Sequence, residues 1–336
     1  MKRFTTTSAE STIRDVARQA GVSITTTSYA LNETGRVSTE TREKVLKAAE
    51  DLGYEPSIAA RLLKGAKGNM IAVLTEGLAG PWYGEILEGL QPTFTARGYA
   101  VVAMTMQEDS LTLCRSLVSA GLLRGLVVLN PEEAWAPVLR RMALGVPTVL
   151  FDPGLTGIKA VRYVLDNRGG IRSLMAHLWD RGYRDYLWLD GDLDASWDAR
   201  ERFAAFDGFL IEKGLPEAGR RRAVGGFRTD VAERNVSAIL GGGGIPRAIV
   251  AANDESAIGA LKAVRGFGLR TPEDVAVAGF DGLDVSAWMS PPLTTLRYDR
   301  RALGASMARS VMEALDEGAE DTTTVVPLEL LARGTT

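Results

Sequence analysis

From Asn69 onward, short apolar runs alternate with longer stretches of helical periodicity, and few architectures accommodate that pattern. The runs Met70–Leu74, Tyr99–Met104, Leu126–Leu129 and Thr148–Phe151 form a first set; Tyr186–Leu189, Ala248–Ala252 and Val275–Ala278 form a second. Nearly continuous Val, Leu and Ala marks strands buried on both faces, and helices between such strands give parallel sheets. At 336 residues the chain is also too long for one ordinary domain. The pattern therefore predicts two parallel α/β sheets in tandem. Ligands of open parallel sheets bind beyond the carboxyl ends of the strands. That makes the polar and aromatic residues just after each run informative: Thr75 to Tyr83, Asn130, Asp152, Asp190 to Asp198, Asn253-Asp254 and Asp281. Carboxylates and amides exchange hydrogen bonds with a polyol, and rings stack on its C–H faces.

Ahead of Asn69 the pattern is purely helical. Thr12 serves as an N-cap with Asp15 as its acidic capping partner, and Ile13, Val16, Ala17 and Ala20 share one face. Gly21 ends this helix in a tight turn that Val22 plugs. Ser23 caps a second helix, Ile24 to Leu31, which Asn32-Glu33-Thr34-Gly35 terminates. A third starts at Ser38, with Val45, Leu46, Ala49 and Leu52 inward, and stops at Gly53. Two short helices about a glycine turn form a helix-turn-helix, whose second helix can enter the major groove of DNA; a plain three-helix bundle is the lesser alternative. Charge agrees with the former, although alone it also fits an ordinary solvated surface. Residues 1–68 hold 11 Lys/Arg against 8 Asp/Glu, a net of +3, whereas the remaining 28 basic and 34 acidic residues leave −6.

These residues carry a family resemblance. TIRDVARQAGVSITTTSYALNETG, residues 12–35, closely resembles the headpiece of the LacI/GalR family of bacterial repressors. Arg36-Val37-Ser38-Thr39-Glu40-Thr41-Arg42 and Leu52-Gly53-Tyr54-Glu55-Pro56-Ser57 continue the match, and Ala59-Ala60-Arg61-Leu62-Leu63-Lys64 resembles its hinge helix. The resemblance implies an all-α helix-turn-helix headpiece (11–55), a hinge helix (56–66) and an α/β core (69–336) of the periplasmic-binding-protein type I kind, with two parallel-sheet subdomains. The first subdomain is expected over about 69–162 plus 294–323, and the second over about 163–293 plus 324–334. DNA contacts are implied for Thr12, Ser23, Ile24, Thr25, Thr26, Ser28, Tyr29 and Asn32 in the head. In the hinge, Leu63 would wedge into a base step, Ala60 would allow close approach, and Arg61 and Lys64 would face phosphates. Two departures matter. Thr27 stands where the family usually has valine, and Tyr29 stands where it often has an arginine or histidine base reader, so the operator sequence of other members does not carry over. In the core the resemblance assigns effector contacts to Asp152, Arg202, Asn253 and Asp281, stacking to Trp82 and Tyr83, a second ring position to Phe227, and further contacts to Asp166 and Asp198. Each acidic or amide residue also fits a loop cap or hinge hydrogen bond.

Other readings have less material. Asp190, Asp192, Asp194, Ser196, Asp198 and Glu201 follow most of an EF-hand spacing, but Ala195 stands where the turn needs glycine and a strand precedes the loop. The single histidine, His177, beside Met175 and Leu178, reads as structural; with one Cys, Cys114, no disulfide framework, zinc cluster or His-based triad is available. Gly241 to Gly244 precedes a strand and reads as a turn. The expectation is no metal, no cofactor and no catalytic set. Met1-Lys2-Arg3-Phe4 lacks the apolar stretch of a secretory signal, no apolar run spans a bilayer, and Glu329 to Thr336 shows no heptad tail, so a cytoplasmic homodimer is expected. The reading is a transcriptional repressor that binds a pseudo-palindromic double-stranded DNA operator and a small carbohydrate-like effector between the core subdomains. A purine or nucleoside effector is the alternative, and a solute-binding protein is the more distant rival.

Overall fold

The computed structural model describes residues 11–31, 35–54, 68–78, 80–151, 154–194, 196–318 and 320–336. The chain divides into two compact units, residues 1–68 and 69–336, each with its own core.

In the first unit, α1 (Ile13–Ala20), α2 (Ile24–Leu31) and α3 (Thr39–Asp51) pack around Val16, Ala30, Val45, Ala48 and Ala49. The caps follow the sequence. The Thr12 amide and hydroxyl both donate to Asp15 Oδ2, at 3.0 and 2.6 Å, and Gly21 closes α1 at φ +66°, a conformation that favours glycine. Ser23 Oγ accepts from the Thr26 amide at 3.0 Å, and Ser38 Oγ from that of Thr41 at 3.3 Å. One expected core position is corrected: Leu46 is 49% exposed. With Val45 inward, positions three, four and seven residues on (Ala48, Ala49, Leu52) share its face, and Leu46 lies about 100° away.

The second unit holds two six-stranded sheets. Sheet one has β1 (Met70–Thr75), β2 (Ala100–Thr105), β3 (Leu123–Leu129), β4 (Thr148–Phe151), β5 (Val161–Leu165) and β11 (Thr322–Val326) in the order β11-β5-β4-β3-β1-β2, all parallel. Sheet two has β6 (Tyr186–Asp190), β7 (Arg220–Val224), β8 (Ala248–Ala251), β9 (Ala276–Asp281), β10 (Thr294–Arg297) and β12 (Glu329–Leu331) in the order β12-β10-β9-β8-β6-β7, with only β12 antiparallel. The order reverses at β1/β3 and at β6/β8, the two switch points where such sheets open a crevice. The chain passes between the sheets three times, after β5, after β10 and after β11. Each passage lies a few residues later than the sequence boundaries of 162, 293 and 323, because β5, β10 and β11 are whole strands that the sequence reading cut or missed.

Helices α4 (Pro81–Ala96), α5 (Glu108–Ser119), α6 (Ala136–Ala143) and α12 (Arg300–Glu317) accompany sheet one; α7 (Asn167–Asp180), α8 (Trp197–Glu212), α9 (Thr229–Gly241), α10 (Asp254–Gly266) and α11 (Asp284–Trp288) accompany sheet two. One apolar cluster runs through both halves, from Ile71, Phe94 and Phe151 to Trp188, Phe206 and Phe280. Two glycines let α4 and α12 meet backbone to backbone. A Cβ on Gly89 would lie 2.1 Å from the Arg301 carbonyl oxygen, and one on Gly304 2.3 Å from that of Ile86. No helix among the described residues is long and apolar enough to cross a membrane.

Candidate functional site

The carboxyl ends of the strands of both sheets converge on a cavity of about 370 Å³, within the roughly 300–1,000 Å³ range of small-ligand sites. Trp82 and Tyr83 enter it from the first turn of α4, just past β1, and Asn130 from the end of β3. Phe227 follows β7, Asn253 follows β8 and Asp281 ends β9. Asp198 and Arg202, one turn apart on α8, complete the opposite wall. Of the residues expected to meet an effector, Trp82, Tyr83, Asp198, Arg202, Phe227, Asn253 and Asp281 thus line one cavity. Asp166 does not. It is exposed, and its Oδ1 accepts from the Gly169 amide at 2.9 Å, which makes it the N-cap of α7. Asp152 lies outside the described residues.

Three non-glycine residues among the described ones adopt positive φ, and all three line this cavity: Asn130 (+49°), Phe227 (+56°) and Asp281 (+106°). Such conformations cost about 1–3 kcal/mol each and persist where the surroundings over-determine them, typically at binding sites. At Asp281 the determinant is visible. Arg300 donates from Nη1 to the Asp281 main-chain oxygen and from Nη2 to that of Gly282 at 3.2 Å, while its guanidinium pairs with Glu85 at 3.1 Å. Next to it lies Asp254, fully buried, with Oδ2 accepting from the Leu283 amide (2.8 Å) and Oδ1 from Thr295 Oγ1 (2.6 Å). Burial pushes both carboxyls up, Asp281 to about 6 and Asp254 well above the carboxylate range, the latter helped by the neighbouring Asp281 charge.

The polar wall is internally braced. Arg202 Nε donates to Asn167 Oδ1 at 2.9 Å and Nη1 to the Ala252 carbonyl at 2.8 Å. Its Nη2 lies 3.6 Å from Asp198, and its plane packs 3.6 Å from the Phe280 ring centroid. Asn167 Nδ2 donates to Asp198 Oδ1 at 2.5 Å. Asn253 likewise caps α10, accepting from the Ser256 amide at 2.9 Å while donating to the Phe227 carbonyl at 3.3 Å. Its amide therefore fixes two cavity-lining segments, which is the cap role that the sequence left open beside ligand contact. Sequence reading missed Glu132, Glu255 and Tyr298. Tyr298 follows β10, and its hydroxyl accepts from Trp82 Nε1 at 2.5 Å, tying the two aromatic groups together. Glu255 stands one residue beyond Asn253-Asp254, and Glu132 two beyond Asn130, so a wider window after each strand would have found them.

The EF-hand spacing resolves differently. The Asp190 carboxylate turns to Arg222 Nε at 2.8 Å, whereas Asp192, Ser196 and Asp198 belong to the cavity wall. His177 bonds Thr336 Oγ1 at 2.8 Å and Arg181 at 3.1 Å.

In the head, Ile24 (47% exposed), Thr25 and Tyr29 (44%) form the open face of α2. Thr27 is buried opposite, its hydroxyl satisfied by the Ser23 carbonyl at 3.0 Å, so threonine fits where valine was expected. The Tyr29 ring lies against Gly35, where a Cβ would meet it at 3.0 Å. Ser23, Thr26 and Thr12 are engaged in caps, and Ser28 is half-buried. Asn32, Ala60, Arg61, Leu63 and Lys64 lie outside the described residues.

Comparison with known proteins assigns both units. Residues 12–57 match the model for bacterial regulatory proteins of the lacI family, and residues 175–336 match a periplasmic binding protein-like domain. The HTH-type transcriptional repressor PurR of Pasteurella multocida is 30% identical over 315 residues, covering 92% of this chain and 93% of that protein. The chain belongs to the LacI family. Among solved structures, the lac repressor dimer bound to operator and the anti-inducer ONPF superposes with a TM-score of 0.83 at 28% identity, over 97% of this chain and 99% of that one. The complex of the transcriptional regulator CelR with cellobiose gives 0.71 at 26%, over 97% and 100%. Like its LacI-family relatives, the chain is a DNA-binding transcriptional regulator with a helix-turn-helix head and a periplasmic-binding-protein-like core.

Proposed function

We propose that the cavity between the two sheets is the effector site of a homodimeric cytoplasmic repressor, and that its ligand is a small polyhydroxylated molecule. One observation carries this: seven of the nine residues expected to meet an effector, coming from two helices and the ends of three strands, line a single cavity whose walls come from both sheets. A ligand touching both walls favours one relative orientation of the two halves, and differential affinity for the two orientations is the only way it can shift them. The protein works by binding alone. Its DNA readers are Ile24, Thr25 and Tyr29 on the open face of α2, and a pseudo-palindromic operator matches a two-fold dimer. The lac repressor bound to ONPF and the CelR complex with cellobiose support a sugar-like ligand. The likeness to PurR keeps nucleosides in the comparison set.

The test is thermal melting of the full chain against sugars and nucleosides, since a ligand selective for the native state raises the melting temperature. For the ligand found, calorimetry on Trp82→Ala and Asp281→Asn is expected to show weakened binding. Unchanged affinity in both variants would place the ligand elsewhere.

A further inference from the structure

The charge around the cavity is one-sided. Glu76, Glu132, Asp192, Asp198, Glu255 and Asp281 line it, and Arg202 is the one basic side chain among its described lining residues. Arg202 is largely engaged within the wall: Nε and Nη1 donate to Asn167 and the Ala252 carbonyl, Nη2 lies 3.6 Å from Asp198, and its plane covers Phe280. Its single charge is shared between Asp198 and Asp281, so the acidic side chains of the lining outnumber it.

Asp281 sets the character of the site. It is only 7% exposed, and it lines the cavity. Arg300 is bonded to its main-chain oxygen and paired with Glu85, while the Asp281 carboxylate accepts no hydrogen bond and joins no ion pair among the described residues. A buried carboxylate without a donor is unfavourable, and a ligand that donates to it relieves that state. The carboxylates are also dispersed. Among the described residues no three His, Cys, Asp or Glu are gathered closely enough to hold a metal ion, so the charge surrounds an extended molecule better than a bare ion.

Rings complete the environment. Trp82 meets Tyr83 edge-on, with centroids 4.7 Å apart at 86°, and Phe151 at 5.7 Å with a 44° tilt. Ring faces turned in different directions beside carboxylates form the setting that holds ammonium groups, through the negative face of each ring. The Tyr83 phenol registers the same field: burial, reinforced by Glu76, Asp281 and Glu255, pushes it up to about 12.

We propose that the effector is a polyhydroxylated organic cation, an amino sugar in the simplest case, whose protonated amine sits against the Asp281 carboxylate between the rings. This rests on the cavity being the effector site. The experiment uses the full chain and matched pairs measured by calorimetry: glucosamine against glucose and N-acetylglucosamine, galactosamine against galactose and its N-acetyl form, and putrescine against butane-1,4-diol. The charged member of at least one pair is expected to bind about tenfold or more tightly than its neutral partner, with affinity falling as salt rises. Asp281→Asn, or Glu255→Gln if the former does not fold, is expected to remove most of that preference. A neutral sugar or nucleoside that binds as well as every amine, or amines that all fail to bind at millimolar concentration, overturns the proposal while leaving the cavity as the effector site. Calcium chloride stabilising the protein as much as the amines do overturns it as well. A ligand whose affinity ignores Trp82→Ala, Asp281→Asn and Glu255→Gln together removes the cavity reading itself.

Discussion

Asp281 is held against its own preferences. It is buried, at φ +106°, and beside the buried carboxyl of Asp254. A carboxyl whose folded pKa stands near 6, against 3.8 unfolded, binds its proton more tightly in the native state. Its contribution to stability is therefore fully present below about pH 4 and is lost as the pH rises to about 6, after which it stays flat. At neutral pH the cost is up to about 3 kcal/mol, at 1.36 kcal/mol per unit. Asn has the same shape, tolerates positive φ and carries no charge. Asp281→Asn is thus expected to raise the ligand-free melting temperature at pH 7 by several degrees and to erase the advantage at pH 4, a pair of melts at two pH values being the check. Equal melting of the two proteins at pH 7 would show that the native site already solvates this carboxylate.

At the scale of elements, the α4–α12 contact gives a sharper test than any apolar residue could. Gly89→Ala places a methyl against a main-chain oxygen that cannot rotate away, and a loss of about 1–3 kcal/mol or more is expected in denaturant unfolding. Gly84→Ala, in the same helix with nothing within 4 Å, is expected to be neutral or to gain up to about 1 kcal/mol from helix propensity. If both variants unfold alike, the two helices do not meet as described. In α2, Tyr29→Ala is expected to alter the operator sequences recovered by binding-site selection, and Gly35→Ala to do so in the same direction by displacing the ring. Identical preferences would remove Tyr29 from base reading. These elements also explain what the sequence could reveal. Strands buried on both faces, such as Met70–Thr75 and Ala248–Ala251, were readable because their apolar runs have no polar break. Arg220–Val224 and Thr322–Val326 were not, because they lie at sheet edges and carry arginine and threonine. That gap spread to the site. With β5 and β10 hidden in the sequence, the residues just past their ends, Asn167 and Tyr298, carry no mark of a strand terminus, although one braces Arg202 and the other tethers Trp82. Asp166, by contrast, was visible as an acidic residue but not as a helix cap, since that depends on where α7 begins.

For the whole molecule, effector and operator binding form a closed thermodynamic cycle. If a saturating effector changes operator affinity by some factor, operator must change the product of the dimer's two effector affinities by the same factor, with roughly 5- to 150-fold typical of coupling between two sites. Operator titrations with and without effector should therefore return the product of the two factors that effector calorimetry gives with and without operator. A mismatch would mean that a further ligand site contributes. The three passages between the sheets bear on inheritance as well. Because β11 closes sheet one and β12 closes sheet two, the last fifteen residues of the chain supply an edge strand to each half. Neither half is a contiguous stretch of gene. A nonsense codon just before Thr322 would strip both sheets at once, leaving no intact module to be salvaged by fusion, and recombination can exchange a sensing half between relatives only with at least three breakpoints in register.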